Sequence, residues 1–153
     1  MAIRVMTSPV GPLTLQSHGE AVCAVLFGRR GEPAEADTAV LRQCEEELAA
    51  YFAGKLRTFT VPLGPVGTPF QLSVWEALRQ IPYGETRTYG EIAAAVGRPK
   101  AVRAVGQANH VNPLPIFIPC HRVVGKGGAL TGYAGGLDLK RALLALESGK
   151  ECL

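Results

Sequence analysis

Short apolar segments broken by turns fill the first third of the chain, and a helical pattern follows them. The segments predict strands at Ile3–Thr7, Leu13–Ser17 and Ala21–Phe27, with a hairpin turn at His18–Glu20 between the last two. Apolar residues then recur every three to four positions from Val40 to Phe52, which predicts an amphipathic helix. We therefore expect a small antiparallel sheet packed on one helix.

The middle of the chain is richer in turns. Glu32–Asp37 is predicted to be a polar loop, and Thr58–Val61 is predicted to add a last strand. Pro62–Gly67 has the proline and glycine content of a linker. We therefore expect two domains, a supporting α+β domain over residues 1–64 and a second, helical domain over residues 68–153.

Helix signals dominate the second domain. Two capping boxes, each a threonine followed three residues later by glutamine or glutamate, open helices predicted over 68–81 and 88–96. A third helix is predicted from Pro99 to about Asn109. Two short helices joined at Gly97 are typical of a helix-turn-helix, although such pairs also occur as ordinary packing units.

The third predicted helix carries residues suited to close contact with another surface. Lys100, Arg103 and Gln107 are spaced to share one side. Small residues lie among them: Ala101, Ala104, Gly106 and Ala108. Glycine inside a helix costs roughly 1 kcal/mol relative to alanine, so close approach of a partner is one explanation for Gly106. Tight packing on a neighbouring helix is the other.

Reactive chemistry is concentrated at Cys120. The proline-rich apolar segment Leu114–Pro119 is predicted to be extended and buried, and it delivers the cysteine to the rim of a core. A thiol is nucleophilic as the thiolate, which a nearby imidazole favours, and His121 follows directly. Cysteine is also common as an inert core residue, and adjacency to a histidine does not decide between these interpretations.

Other residues offer supporting roles. Asn112 is expected to hydrogen-bond the local backbone of its turn. The glycine-rich loop Gly125–Gly136, with Tyr133 inside it, is suited to form a pocket wall. The last helix is predicted over Leu137–Glu147, and a carboxylate in its final turn is disfavoured by the helix dipole. Glu147 therefore either orients an imidazole or is an ordinary surface glutamate.

Composition narrows the class of protein. The chain has 153 residues, no apolar run of eighteen residues and no signal-peptide pattern, so we expect a soluble, cytoplasmic protein. The four cysteines lack paired or framework spacing, which indicates reduced thiols and no metal site. The formal net charge of +3 is uneven, because residues 1–67 carry 6 basic and 7 acidic residues, while residues 68–153 carry 10 and 6. A basic second half is compatible with a polyanionic partner.

The second domain resembles, in order along the chain, the O6-alkylguanine-DNA alkyltransferases, also called methylated-DNA–protein-cysteine methyltransferases. The resemblance is carried by Phe70–Trp75, Ile81–Thr86, Thr88–Ala93, Arg103–Gly106, Asn112–Pro113 and Ile118–Val123. The Pro-Cys-His-Arg-Val core is the most specific of these segments, and the N-terminal half is similar only in size and pattern. The resemblance implies an α+β fold, with a ribonuclease H-like N-terminal domain and a winged-helix-like C-terminal domain.

This resemblance implies direct reversal of DNA damage by a monomer without a cofactor. The partner is double-stranded alkylated DNA, bound through the helix-turn-helix in the minor groove, with the damaged guanine flipped into a pocket. Arg103 fills the gap that the base leaves. Its neighbours against the DNA are Lys100, Ala101, Ala104 and Gly106. The substrate is O6-alkylguanine, and O4-alkylthymine is a further candidate.

The resemblance also implies the catalytic roles. Cys120 attacks the alkyl carbon and keeps the alkyl group in a single irreversible event, with His121 as its base through water and Glu147 orienting His121. Tyr89 presses on the flipping phosphate and donates a hydrogen bond or proton to the leaving guanine. Asn112 braces the turn behind the cysteine. The substrate pocket is lined by Tyr133, Ala134 and Val123.

The sequence departs from the family at three points, and it leaves other functions open. Some relatives have serine at the position of Ala134, some bind zinc with N-terminal ligands that are missing here, and a glycine is often found in the turn before Asn112. A lesion-binding protein without transfer, a cysteine hydrolase and a transcription regulator are the alternatives. The last of these would use the helix-turn-helix alone.

Overall fold

The N-terminal half is a sheet with one helix packed on it. The computed structural model describes residues 1–32, 38–133 and 135–149. Within that part of the chain, an antiparallel sheet has the order β1 (Ala2–Met6), β2 (Leu13–His18), β3 (Ala21–Phe27), and α1 (Ala39–Phe52) packs on it. The predicted strands, hairpin and helix are confirmed to within a residue or so. The predicted loop at Glu32–Asp37 lies, after Glu32, outside the described residues.

Burial of apolar side chains holds α1 against the sheet. Leu13 and Leu15 of the central strand are fully buried, as are Leu41, Cys44 and Leu48 of the helix. Complete burial of a leucine side chain contributes roughly 1.5–3 kcal/mol. The α1 face was readable from its three- and four-residue spacing, because that spacing places these side chains on one side of the helix.

The predicted strand at Thr58–Val61 is wrong. The backbone N–H groups of residues 60 and 61 donate to Glu47 Oε1 at 2.9 and 3.2 Å, so a helix side chain takes the place of a partner strand. Pairing occurs further on, where Leu63 forms an isolated parallel bridge with Val22. Part of the predicted linker Pro62–Gly67 is therefore bound along β3.

The C-terminal half is built mainly from helices. They are α2 (Pro69–Arg79), α3 (Tyr89–Ala95), α4 (Val102–His110) and α5 (Leu137–Glu147), with a short parallel pair, β4 (Arg87–Thr88) and β5 (Val123–Val124). Both predicted capping boxes are present. Gly97, with φ of +74°, ends the α3 segment. The third predicted helix begins at Val102 rather than Pro99, because Ala101 is not helical (φ −94°, ψ 33°), so Lys100 precedes α4.

The segment Leu114–Pro119 is buried as predicted, but the prediction that it is extended is wrong. The Ile118 N–H donates to the Leu114 carbonyl at 2.8 Å, so the chain bends back on itself. Asn112 holds both ends of the bend, donating to Ile118 O at 2.8 Å and accepting from Leu114 N at 3.0 Å. Ile116 takes a φ of +75°, which is rare for a β-branched residue.

The two halves share a core. Val25 N–H in β3 donates to the Pro113 carbonyl at 2.9 Å, and the rings of Phe59 and Phe117 lie 4.6 Å apart. These contacts place the bent segment directly against the N-terminal half. Across the described residues, each helix is too short or too polar to cross a membrane.

Candidate active site

Cys120 opens a short 3₁₀ helix, Cys120–Arg122, that follows the bend and leads into β5. The residue is 4% exposed, so its thiol lies at the edge of the core. Burial raises the pKa of the Cys120 thiol, while a hydrogen bond from Asn112 and the charge of Lys140 act in the opposite direction. A thiol in this position needs a base to ionise it.

Glu147 at the end of α5 is buried and binds two side chains of this short helix. Its Oε2 lies 2.6 Å from His121 Nε2, and its Oε1 accepts from Arg122 Nε at 2.7 Å. Burial alone would raise the pKa of Glu147, but hydrogen bonds from His121 and Arg122 and the charge of Arg122 hold it well below its usual range. Glu147 is therefore an ionised carboxylate, and the alternative of an ordinary surface glutamate is wrong.

The contact with Glu147 sets the protonation of His121. Because an ionised carboxylate only accepts hydrogen bonds, Nε2 must carry the proton, and the neutral ring then has a free lone pair on Nδ1. Among the described residues nothing hydrogen-bonds to Nδ1, although the ring is fully buried. Burial lowers the pKa of His121, which keeps the ring neutral near pH 7. An unprotonated imidazole nitrogen can accept a proton, so His121 is suited to act as a general base.

Lys140 is a site residue that the sequence interpretation missed. Its Nζ is fully buried and donates to the backbone carbonyls of Val123 at 2.6 Å and Thr131 at 2.8 Å. The ammonium thereby links the glycine-rich loop that contains Thr131 to β5. Its positive charge also favours a thiolate at Cys120. One signal was available, since Lys140 shares the inward face of α5 with Leu143 and Glu147 at spacings of three and seven.

Of the predicted pocket residues, Tyr133 lies beside the thiol, and Val123 directly follows the short helix that Cys120 opens. Val123 is fully buried, and the buried Tyr133 hydroxyl interacts with Cys120, with no other partner in the described part of the chain. Burial, and then the neighbouring thiol, raise the pKa of Tyr133 well above its ordinary value. Ala134 lies outside the described residues.

Tyr89, the first residue of α3, bonds the glycine-rich loop and faces an open groove. Its hydroxyl accepts a hydrogen bond from Thr131 Oγ1 at 3.0 Å, which leaves its own proton available to donate. Tyr89 also lines the groove, so one side chain contacts both the loop and the groove.

The groove runs along α4 and has a volume of about 740 Å³. Predicted contact residues on it are Arg103, Ala104 and Gly106, while Lys100 and Ala101 precede the helix and do not line it. A Cβ built on Gly106 would lie 4.0 Å from the Tyr89 ring, an ordinary contact, so tight helix packing does not explain this glycine. His110 and the exposed Val102 and Val111 also line the groove, and sequence reasoning had not singled them out.

The fold and the site define a class: a protein whose candidate nucleophile, a buried cysteine, lies next to a helix-turn-helix. The imidazole and carboxylate that accompany the thiol come from the adjacent residue and from the last helix. Within the described ranges, no group of three or more His, Cys, Asp and Glu side chains could hold a metal ion.

Comparison with known proteins identifies the family. The family model of the 6-O-methylguanine DNA methyltransferase DNA-binding domain matches residues 69–149, and that of its ribonuclease-like domain matches residues 1–65. A methylated-DNA–protein-cysteine methyltransferase of Methanosarcina acetivorans is 50% identical over 153 residues, covering 96% of this chain and 98% of its own. One from Mycobacterium tuberculosis is 49% identical over 152 residues, covering 96% and 92%.

A solved structure agrees with these matches. The crystal structure of Mycobacterium tuberculosis OGT in complex with DNA superposes with a TM-score of 0.91 at 47% identity, covering 99% of this chain and 96% of that one. This chain therefore belongs to the 6-O-methylguanine DNA methyltransferase family, and the family resemblance and fold class predicted from its sequence are confirmed.

Proposed function

We propose that this protein repairs alkylated DNA by direct reversal, moving the alkyl group of O6-alkylguanine onto its own Cys120. The observation that carries the proposal is the buried thiol next to His121, whose Nδ1 is free while Nε2 is held by Glu147. The similarity to methylated-DNA–protein-cysteine methyltransferases extends over nearly the whole chain, so the site lies in the protein context that this chemistry needs.

DNA meets the protein at the groove along α4. The small side chains there let a duplex backbone approach closely, and the exposed Arg103 enters the stack where the alkylated base leaves it. A flipped guanine passes Tyr89 to reach Cys120, because Tyr89 lines the groove and bonds Thr131 in the loop that also carries Tyr133. In this arrangement Lys100, just before the helix, contributes a phosphate contact.

The transfer is a displacement at the alkyl carbon. The thiol proton moves through a water to His121 Nδ1, the sulfur bonds to the alkyl carbon, and the bond from that carbon to guanine O6 breaks. The guanine anion takes a proton from the Tyr89 hydroxyl, and Glu147 stabilises the imidazolium that forms. Asn112 keeps the bend in place, so the sulfur stays aimed at the pocket.

The product is a thioether, which has no easy reverse step. The other described cysteines, Cys23 and Cys44, belong to β3 and α1 of the N-terminal half, and neither is a neighbour of Cys120 in sequence. Each molecule therefore acts once, as a stoichiometric reagent.

Intact mass after incubation with O6-methylguanine duplex tests the proposal. We expect one methyl group per molecule, which maps to Cys120 and is absent from Cys120→Ala. Cys23→Ala is the matched control, because it removes a half-buried thiol elsewhere and should still gain the methyl group. An unmodified wild type that nevertheless binds the lesion would support a lesion-binding protein instead, and repeated turnover of an ester or amide would support a hydrolase.

Finer features belong to the same proposal. The chain acts as a monomer in the cytoplasm, with residues 1–64 as a support domain and residues 68–153 as the DNA-binding and acceptor domain. O4-alkylthymine is a second substrate, tested by the same mass measurement with a duplex that carries it. A sedimentation experiment with and without DNA tests the monomer, and a second copy per duplex would contradict it.

A further inference from the structure

One side chain of the N-terminal half reaches the candidate active site. Tyr51 lies near the end of α1 and is fully buried. Its hydroxyl donates to Glu147 Oε2 at 2.6 Å, across a sequence separation of 96 residues. The same oxygen accepts from His121, so Tyr51 and His121 are bonded to a single carboxylate atom.

Both oxygens of the Glu147 carboxylate accept more than one hydrogen bond. Oε2 accepts from Tyr51, from His121 Nε2 and from Arg122 Nη2 at 3.0 Å, while Oε1 accepts from Arg122 Nε and, at 3.4 Å, from Gly84 N–H. Donors that share an acceptor each take part of its negative charge. The Tyr51 hydroxyl therefore competes with His121 for that charge.

We propose that Tyr51 is a positioning residue for alkyl transfer: its hydroxyl limits how strongly Glu147 attracts the proton of His121, and so keeps His121 Nδ1 free as a base. This inference rests on the proposed function. It gives the N-terminal half a part in the reaction besides support of the fold.

The surroundings let Tyr51 act only as a donor. Burial, and then the charge of Glu147, raise the pKa of Tyr51 far above its ordinary value, so the phenol keeps its proton. Its ring is fixed by Phe52, Phe59 and Tyr83, whose centroids lie 5.6, 5.6 and 6.2 Å away. The hydroxyl is thus held in place, and removing it alone leaves the ring packing intact.

The other charged and titratable groups around His121 are accounted for. Those that influence its proton are Glu147 and Lys140 from α5 and Arg122 from its own short helix, with the thiol of Cys120 adjacent. The two cations disfavour a charged imidazole and Glu147 favours one. Tyr51→Phe changes only the influence of Glu147, because it leaves every charge in place. Without the tyrosine hydroxyl, Glu147 attracts the proton of His121 more strongly.

The test compares Tyr51→Phe with wild type in the full-length protein. Single-turnover transfer from O6-methylguanine duplex is measured against pH. We expect the acid limb of the profile to move up by about one pH unit. The free energy of a hydrogen bond to a charged group corresponds to a pKa shift of about that size. At pH values below the acid limbs of both proteins, the variant transfers the alkyl group about tenfold more slowly than wild type. On the plateau at higher pH, the two rates differ by less than about threefold.

Tyr83→Phe is the matched control. It removes a hydroxyl from the same aromatic cluster, and among the described residues that hydroxyl makes no hydrogen bond to Glu147. Its acid limb should stay where wild type has it. A general loosening of the cluster would instead lower the rates of both variants at every pH, together with their melting temperatures.

Two outcomes overturn the inference. One is an unshifted acid limb in Tyr51→Phe, and the other is an equal shift in Tyr83→Phe. If Tyr51→Phe does not fold, proton NMR of wild type decides, because a buried Tyr51 hydroxyl bonded to a carboxylate should give a slowly exchanging downfield signal, and its absence overturns the inference. Failure of the proposed function is distinguishable, since wild type would then gain no methyl group at any pH.

Discussion

Two buried cysteines, one in each half of the molecule, differ in what surrounds them. Burial, together with the nearby carboxylates of Glu47 and Glu45, raises the pKa of Cys44 to about 12. At Cys120 burial acts in the same direction, but Asn112 and Lys140 oppose it. Burial is thus common to both thiols, and the donors and charges beside them distinguish a core residue from a candidate nucleophile.

Two carboxylates extend the comparison. Glu47 accepts from the backbone of residues 60 and 61 and from the Thr60 hydroxyl at 2.8 Å, so it fastens a loop to α1. Glu147 instead binds His121, Arg122 and Tyr51, two of which carry a titratable proton. Glu47 thus ties the chain together within the N-terminal half, whereas Glu147 binds proton-bearing groups from both halves, Tyr51 from α1 and His121 from the C-terminal half.

The largest expected effect comes from exchanging each carboxylate for an amide. Glu147→Gln should slow single-turnover transfer by about 10³-fold, because His121 loses the anion that stabilises its charged form and an amide can bind the wrong tautomer. Glu47→Gln should transfer at the wild-type rate. Rapid-quench kinetics with O6-methylguanine duplex measures both, and circular dichroism checks that both are folded. Equal rates for wild type and Glu147→Gln would remove the distinction between the two carboxylates.

The next largest effect is expected from a residue proposed to contact DNA, and it tests whether the DNA contacts only the C-terminal half. Arg103→Ala should reduce transfer from duplex DNA roughly 10- to 100-fold, since unstacking a base costs a few kcal/mol that the inserted side chain offsets. Transfer from the free base O6-benzylguanine, which needs no flipping, should change little. Arg29→Ala, an exposed arginine of the N-terminal half, is the control. An equal loss in both variants would place the DNA across both halves.

A smaller effect is expected from the ammonium beside the nucleophile. Lys140→Met should raise the pKa of Cys120 and slow transfer at pH 7 about tenfold, with the rate recovering as pH rises and the thiol ionises. Titration of thiol reactivity with iodoacetamide measures the same shift without DNA. Lys126→Met, an exposed lysine of the neighbouring loop, should change neither. A slower rate that alkaline pH does not restore would mean that Lys140 acts only by holding the loop.

These contrasts show which features of the fold and the site could be predicted from the sequence and which could not. Capping boxes at Thr68 and Thr88 are local signals, and the helices that they predicted are present. The bend before Cys120 depends on a side chain, Asn112, bonding residues two and six positions away, so an apolar run looked extended. The roles of Tyr51 and Lys140 were not predicted, because their hydrogen-bond partners lie in other elements of the fold. Helix spacing shows which face is buried, but it does not show which residues pack against that face.

His121 and Glu147 in one half and Cys44 in the other should also contribute to stability with opposite pH dependence. The pKa of His121 and that of Glu147 are lower in the folded protein, so the unfolded chain binds more protons and stability falls as pH drops below about 6.5. The pKa of Cys44 is higher in the folded protein, about 12 against 9.0. Its contribution is therefore complete below pH 9 and is lost as pH rises towards 12.

The smallest expected effect isolates that alkaline loss. Between pH 8 and pH 10, wild type should lose on the order of 1 kcal/mol of unfolding free energy through Cys44, because the unfolded thiol ionises there and the buried one does not. Cys44→Ala should be less stable at pH 8, since it leaves a cavity, yet its stability should fall less steeply over this interval. Urea unfolding at matched pH values measures the slopes, with Cys23→Ala as a half-buried control. Parallel slopes for Cys44→Ala and wild type would show that Cys44 is not the group whose ionisation opposes folding.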